Sequence, residues 1–229
     1  MTATVVLVHG AWHGSWCWDA VVREFDDAGI ATVAVDNPSV ARVPSSLDDD
    51  AAHLRAVLDA VGGPVVLVGH SFGGAVITAA GDHPDVVHLV YVTAFALDVG
   101  ESVVANDLTG GEDVQLADAL EFDSETVTVQ PSRAIEFFFH DCDREVAMAA
   151  AARLRPMSMA AMTGTSPVAP WRTTPSTFVL CTDDRAVPPA LQRSAAKRLG
   201  RTVEIASSHS PFLSRPAELA ALLRELAQT

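Results

Sequence analysis

Ser71 has the strongest chemical context in the chain. It lies in Gly69-His70-Ser71-Phe72-Gly73, a G-x-S-x-G run that follows the apolar Val65-Val66-Leu67-Val68 and opens a helical pattern through Ala80. A serine on a tight strand-to-helix turn is presented at the top of a sheet, and flanking glycines keep side chains from clashing there. The N–H of Phe72, at the helix start, can then point at a developing oxyanion. The bland alternative is a Gly-rich turn with an incidental serine. The strand before it and the helix after it favour a nucleophile.

A serine needs a base and a group that orients the base. On a strand–turn–helix scaffold the acid and then the base follow the serine in chain order. Of the eight histidines, only His140 and His209 lie well downstream. His209 follows the strand-like Thr202–Ala206 and precedes the final helix. That puts it at a strand's carboxyl end, where ligand sites form. His140 neighbours Asp141 and Cys142, but two ligands without a third are poor evidence of a metal, and a surface position is expected. The acid should follow Thr177-Phe-Val-Leu-Cys-Thr182, which ends at Asp183-Asp184-Arg-Ala-Val-Pro188. Both carboxylates are candidates. Asp184 fits a D-x-x-V-P form, with Asp183 its solvated or hydrogen-bonded neighbour.

A second oxyanion donor is expected after the first strand, in Val8-His9-Gly10-Ala11-Trp12. Gly10 permits a close turn, and the Ala11 N–H is the candidate donor. His9 and His70 read as residues whose hydrogen bonds shape their loops. His13 is open between the pocket and the surface.

The elements that must position these groups alternate. Val5–Val8, Ala31–Val35, Val65–Val68, Val86–Val92, Thr177–Cys181 and Val203–Ile205 are short, β-branched runs that read as buried strands. Helical patterns lie between them, near 18–28, 47–61, 72–80, 189–199 and 216–227. In the second, Leu47, Ala51, Leu54, Val57, Leu58 and Val61 share one face, with Ser45 or Ser46 as N-cap before Asp48-Asp49-Asp50. Such alternation predicts right-handed βαβ units and a mostly parallel sheet covered on both faces. Residues 95–172 break the rhythm. They are polar at Thr109-Gly-Gly-Glu-Asp113, then apolar and helical, then Met-rich. They are expected to form a helical insertion over the carboxyl edge of the sheet. Its Phe and Met residues either line a pocket or anchor the insertion to the body. Trp12, His13, Phe138, Met157 and Met162 are the candidate substrate contacts.

The 229 residues predict one domain, 1–229, with 95–172 as the lid. A 49% hydrophobic content excludes disorder for the whole. A formal net charge of −14 argues against nucleic acid and anionic lipid as partners. The start lacks a basic segment of the secretory type, and no apolar run reaches the ~18 residues of a membrane span. Cys17, Cys142 and Cys181 are too few and too scattered for a disulfide framework or a zinc site, so reduced thiols in the cytoplasm are expected. The sequence sets no oligomeric state.

Together, Val5-Val-Leu-Val-His-Gly-Ala-Trp-His-Gly-Ser-Trp-Cys-Trp18, Gly69–Gly74, Cys181-Thr-Asp-Asp-Arg-Ala-Val-Pro-Pro189 and His209-Ser-Pro-Phe-Leu-Ser-Arg-Pro216 resemble the α/β-hydrolase superfamily. They most resemble its branch of hydroxynitrile lyases, plant methylesterases and related bacterial esterases. The resemblance implies a lid before the last two strands of the sheet, no cofactor, no metal and small ester substrates. It implies Ser71, Asp184 and His209 as a triad, with Ala11 and Phe72 as oxyanion donors. It also implies about six strands, because the chain opens on the strand before His9-Gly10. The lyases of this branch carry a lysine after the histidine, where this chain has Ser210. The expected activity is carboxylic ester hydrolysis through an acyl-enzyme. The alternatives are a lactonase, a thioesterase, or a small-ligand receptor on a hydrolase scaffold.

Overall fold

A computed structural model describes residues 2–40, 44–105 and 115–228. Its principal sheet comprises β1 (Thr4–Val8), β2 (Thr32–Val35), β3 (Val65–His70), β4 (Val86–Val92), β8 (Ser176–Cys181) and β9 (Arg201–Ile205). All neighbours are parallel, in the order β2-β1-β3-β4-β8-β9. The chain moves outward from β1 to β2 and then returns to add β3 on the other side. That reversal opens a crevice at the carboxyl ends of the strands, where ligands bind in such sheets.

The alternation within each strand supplies two covered faces. In β1, Val6 and Val8 enter one core, while Val5 and Leu7 enter the other. The first face is covered by α2 (Leu47–Val61) and α3 (Gly73–Ala80). The second is covered by α1 (Asp19–Asp26) and α9 (Pro216–Ala227). Ser46 caps α2 in a reciprocal box with Asp49, and Leu47, Ala51, Leu54 and Leu58 form its buried stripe. The sequence reading of a six-stranded parallel α/β-hydrolase sheet matches this architecture. The short helices α7 (Pro189–Ala196) and α8 (Pro211–Ser214) start near the carboxyl ends of β8 and β9.

The segment between β4 and β8 differs from the helical insertion expected. It holds α4 (Pro131–Phe138), α5 (Arg144–Ala151) and α6 (Met159–Thr163), but also β5 (Leu120–Phe122), β6 (Thr126–Val129) and β7 (Met157–Ser158) in an antiparallel sheet. Asp123 makes the β5–β6 turn by accepting from the N–H groups of Glu125 and Thr126. Strands of two to four residues are too short to register as a rhythm. The Thr-Val-Thr-Val alternation of β6, with both valines buried, was the readable signal. Thr109–Asp113 lies outside the described residues.

Candidate active site

Among the described residues, three non-glycine residues have positive φ: Trp12 at 63°, Ser71 at 50° and Thr93 at 41°. Each sits just beyond the carboxyl end of a central strand, β1, β3 or β4 respectively. Strained backbone collected at one sheet edge is a mark of a functional site. At Ser71 the strain is relieved by small neighbours. A Cβ on Gly69 would lie 2.5 Å from Gly73 O, and one on Gly73 would lie 2.6 Å from the carbonyl oxygens of Val8 and His9. The turn after β3 is thus wedged against the turn after β1, and only glycine fits at both flanks.

His209 follows β9 and is buried. Its Nδ1–H donates to Asp184 Oδ2 at 2.7 Å. Asp184, also buried, accepts at Oδ1 from the N–H groups of Ala186 (2.7 Å) and Val187 (2.9 Å). At Oδ2 it also accepts from Thr93 Oγ1 and, at 3.2 Å, from Gln192 Nε2. A buried carboxylate surrounded by donors is fixed in orientation. Asp183 is exposed, and among the described residues only its backbone is engaged. Thr93 and Gln192 were not singled out in the sequence. Thr93 is the first residue past β4, and Gln192 follows the D-x-x-V-P-P run by one helical step; neither belongs to a motif.

Three other histidines are buried and held neutral. His70 Nε2–H donates to the carbonyl of His209 at 2.8 Å, and burial keeps its imidazole well below the usual range. His9 donates from Nδ1 to Gly10 O and accepts at Nε2 from the Asn37 N–H. Burial pushes it down to about 4, so its approach to Asp36 is not an ion pair at neutral pH. His13 donates from Nδ1 to Ala11 O at 2.8 Å, and burial pushes it down to about 3. It packs among Trp16, His70, Phe138, Phe139 and Phe212. All three act on loop shape, and His9, bonded to Gly10 O, fixes the peptide that carries the Ala11 N–H.

A cavity of about 330 Å³ lies over these loops. Ala11, Trp12, Ser71, Phe72 and His209 form its floor, with Phe95, Ala186 and Val187 beside them. Leu120, Phe122, Val127, Phe138, Met159 and Met162 come from the inserted segment. Among the described residues, neither the Ala11 nor the Phe72 N–H has a hydrogen-bond partner. Trp12 stacks on Phe138 at 5.7 Å and donates from Nε1 to Val127 O at 2.9 Å, tying the first turn to β6.

Of the residues expected to contact substrate, Trp12, Phe138 and Met162 line this cavity; His13 and Met157 do not. His13 is buried behind Ala11. Met157 lies in β7 and turns away toward Ser39, whose hydroxyl is 3.8 Å from its sulfur. Met159 takes the lining position instead. No cluster of three metal-ligating side chains occurs among the described residues, and His140 donates to the Asp183 carbonyl.

A family model described as the alpha/beta hydrolase family matches residues 5–222. Methylesterase 7 of Arabidopsis thaliana is 31% identical over 97% of this chain and 95% of its own. Alpha/beta hydrolase nvfD of Aspergillus novofumigatus is 29% identical over 97% and 96%. A pyrethroid hydrolase from Sphingobium faniae superposes with a TM-score of 0.88 at 24% identity, covering all of this chain and 98% of that one. The chain belongs to the alpha/beta hydrolase family. Other relatives include a carbendazim hydrolyzing esterase of Nocardioides sp., 36% identical over 45% of this chain and 46% of its own.

Proposed function

We propose that the chain hydrolyses uncharged, apolar carboxylic esters through Ser71, His209 and Asp184. The observation that carries this reading is the shared cavity. Ser71 and His209 face it together, Asp184 stands behind the imidazole, and the remaining described lining is apolar. His209 Nε2 takes the Ser71 proton as Oγ attacks the ester carbonyl. The Ala11 and Phe72 N–H groups bond the oxyanion. Collapse breaks the ester C–O bond, and His209 returns the proton to the departing alcohol. Water, deprotonated by His209, then attacks the acyl-serine; collapse breaks the acyl–Oγ bond, His209 returns the proton to Ser71 Oγ, and the acid leaves. Asp184 keeps Nε2 as the proton acceptor and stabilises the imidazolium. The product carboxylate has no described cation to pair with in the cavity, so its own desolvation cost favours release.

The segment between β4 and β8 serves in this reading as the lid, and its side chains set specificity. No cofactor takes part. A cytoplasmic location fits three unpaired cysteines, with the Cys142 thiol pushed up to about 12 by burial. Among the described residues no helix is long and apolar enough to cross a membrane. The test pairs wild type with Ser71→Ala on p-nitrophenyl butyrate. Turnover by wild type, its loss in the variant and an unchanged melt are expected. Equal turnover by both would remove Ser71 from the chemistry, and saturable ligand binding without turnover would favour a receptor.

A further inference from the structure

The turn after α4 is bonded to the loops on both sides of the Asp184–His209 pair. His140 Nε2–H donates to the Asp183 carbonyl at 2.9 Å, one residue before the acid. Asp141 Oδ2 accepts the Ser208 N–H at 2.9 Å, one residue before the base. The Ser208 hydroxyl donates to Phe138 O, also at 2.9 Å. The two loops are joined directly by the Asp183 N–H donating to Ser207 O at 3.1 Å. Ser208 is fully buried and Asp141 half-buried. Burial acts to raise the Asp141 carboxyl, yet the hydrogen bonds from Ser208 and Ser214 hold it below the ordinary range.

From this geometry we infer that Asp141, a residue of the inserted segment, is a positioning residue for His209. Asp184 fixes the imidazole from the side-chain end. His70 holds the His209 carbonyl, and Asp141 holds the Ser207–Ser208 peptide, one residue before His209. With Asp141 removed, the Ser208 N–H is left buried without its acceptor and must move to find another. That motion carries the His209 backbone with it and opens the angle between Nε2 and Ser71. Proton transfer depends steeply on that alignment, whereas the apolar cavity that binds substrate does not contain Asp141.

The inference rests on the ester-hydrolase reading for its kinetic consequence but not for its structural one. Two readouts separate them: labelling of Ser71 by a fluorophosphonate together with ester kinetics, and the downfield proton resonance of His209 Nδ1–H. Asp141→Ala should lose roughly 10- to 100-fold in labelling rate and in kcat with KM within about twofold. Its downfield resonance should broaden away. Asp141→Asn keeps an amide oxygen to accept from Ser208 and should recover most of both. Should Asp141→Ala not fold, Asp141→Glu, which keeps the charge and displaces the oxygen, is expected to show the same losses. Wild-type labelling and resonance in the Ala or Glu variant would overturn the inference. So would an Asn variant as impaired as Ala. An unlabelled, esterase-inactive wild type whose resonance is nevertheless lost in Asp141→Ala would overturn the hydrolase reading and leave the positioning role standing.

Discussion

Gly10 lies directly against Ser71. A Cβ built on Gly10 would stand 2.8 Å from Ser71 Cβ and 2.7 Å from His70 Nδ1. The loop that offers the Ala11 N–H and the turn that offers the serine hydroxyl are therefore one packed unit, and their spacing is set by a missing side chain. Gly10→Ala must push these turns apart. His70 cannot yield, since it is buried and bonded to the His209 carbonyl. The expected outcome is a loss of about 1–3 kcal/mol of stability and at least about 100-fold in kcat, read by thermal melt and ester kinetics. A fully active variant would mean that the turns move freely.

Gln192 supports Asp184 from behind. Its amide donates to Cys181 O, Val187 O and Asp184 Oδ2, and its oxygen accepts the Cys181 N–H. Gln192→Leu keeps the volume but strands these buried backbone groups. A destabilisation of about 2–3 kcal/mol is expected in denaturant titration, with kcat reduced more than KM is raised. A variant as stable as wild type would show that the amide network is dispensable.

Three buried histidines govern acid stability. His9 and His13, at about 4 and about 3, and His70, well below the usual range, are all depressed by burial. In the unfolded chain each returns to ~6.5. Below that pH the unfolded chain binds protons the folded chain refuses, so stability is complete above about pH 7 and falls as pH drops toward 4. Asp50 acts in the opposite direction. Burial pushes it up to about 6, so the folded chain gains stability from it as pH falls below about 7. One carboxyl does not offset three imidazoles. The melting temperature should drop on the order of 10 °C between pH 7 and pH 5. A flat or rising profile would show that these histidines are hydrated.

The apolar cavity predicts discrimination by charge. Among the described residues its lining holds no lysine or arginine. p-Nitrophenyl butyrate should exceed p-nitrophenyl hemisuccinate by at least about 100-fold in kcat/KM, because an unpaired buried carboxylate costs several kcal/mol. Equal rates would place the acyl chain outside this cavity.

The principal sheet was readable because its central strands carry apolar runs buried on both faces, as in Val65–Val68 and Leu89–Val92, and helical patterns separate the strands. The loops that carry Ser71, Asp184 and His209 were placed by the same rhythm, since each follows a strand. Distant contacts were not readable. Thr93 and Gln192 reach Asp184 from 91 and 8 residues away and carry no local signature. Met157 and Met159 are two residues apart with the same chemistry, and only the passage from β7 into α6 decides which one faces the cavity.

The residue after His209 separates ester hydrolysis from cyanohydrin cleavage. Cleaving a cyanohydrin leaves a cyanide anion, and a nearby cation lowers that cost most where water is excluded. Here the position is Ser210, fully buried, with an uncharged hydroxyl that has no partner among the described residues. Lys197, the chain's lone lysine, lies exposed at the end of α7 and is absent from the cavity. Buried His13 and His70 cannot substitute, because both stay neutral at working pH. The two unpartnered N–H groups at Ala11 and Phe72 suit a tetrahedral oxyanion better than a departing anion on the far side of the carbon. Mandelonitrile and acetone cyanohydrin should therefore release cyanide no faster with enzyme than in buffer, while p-nitrophenyl butyrate is hydrolysed. Cyanide release that matches ester turnover and disappears in Ser71→Ala would reverse the assignment.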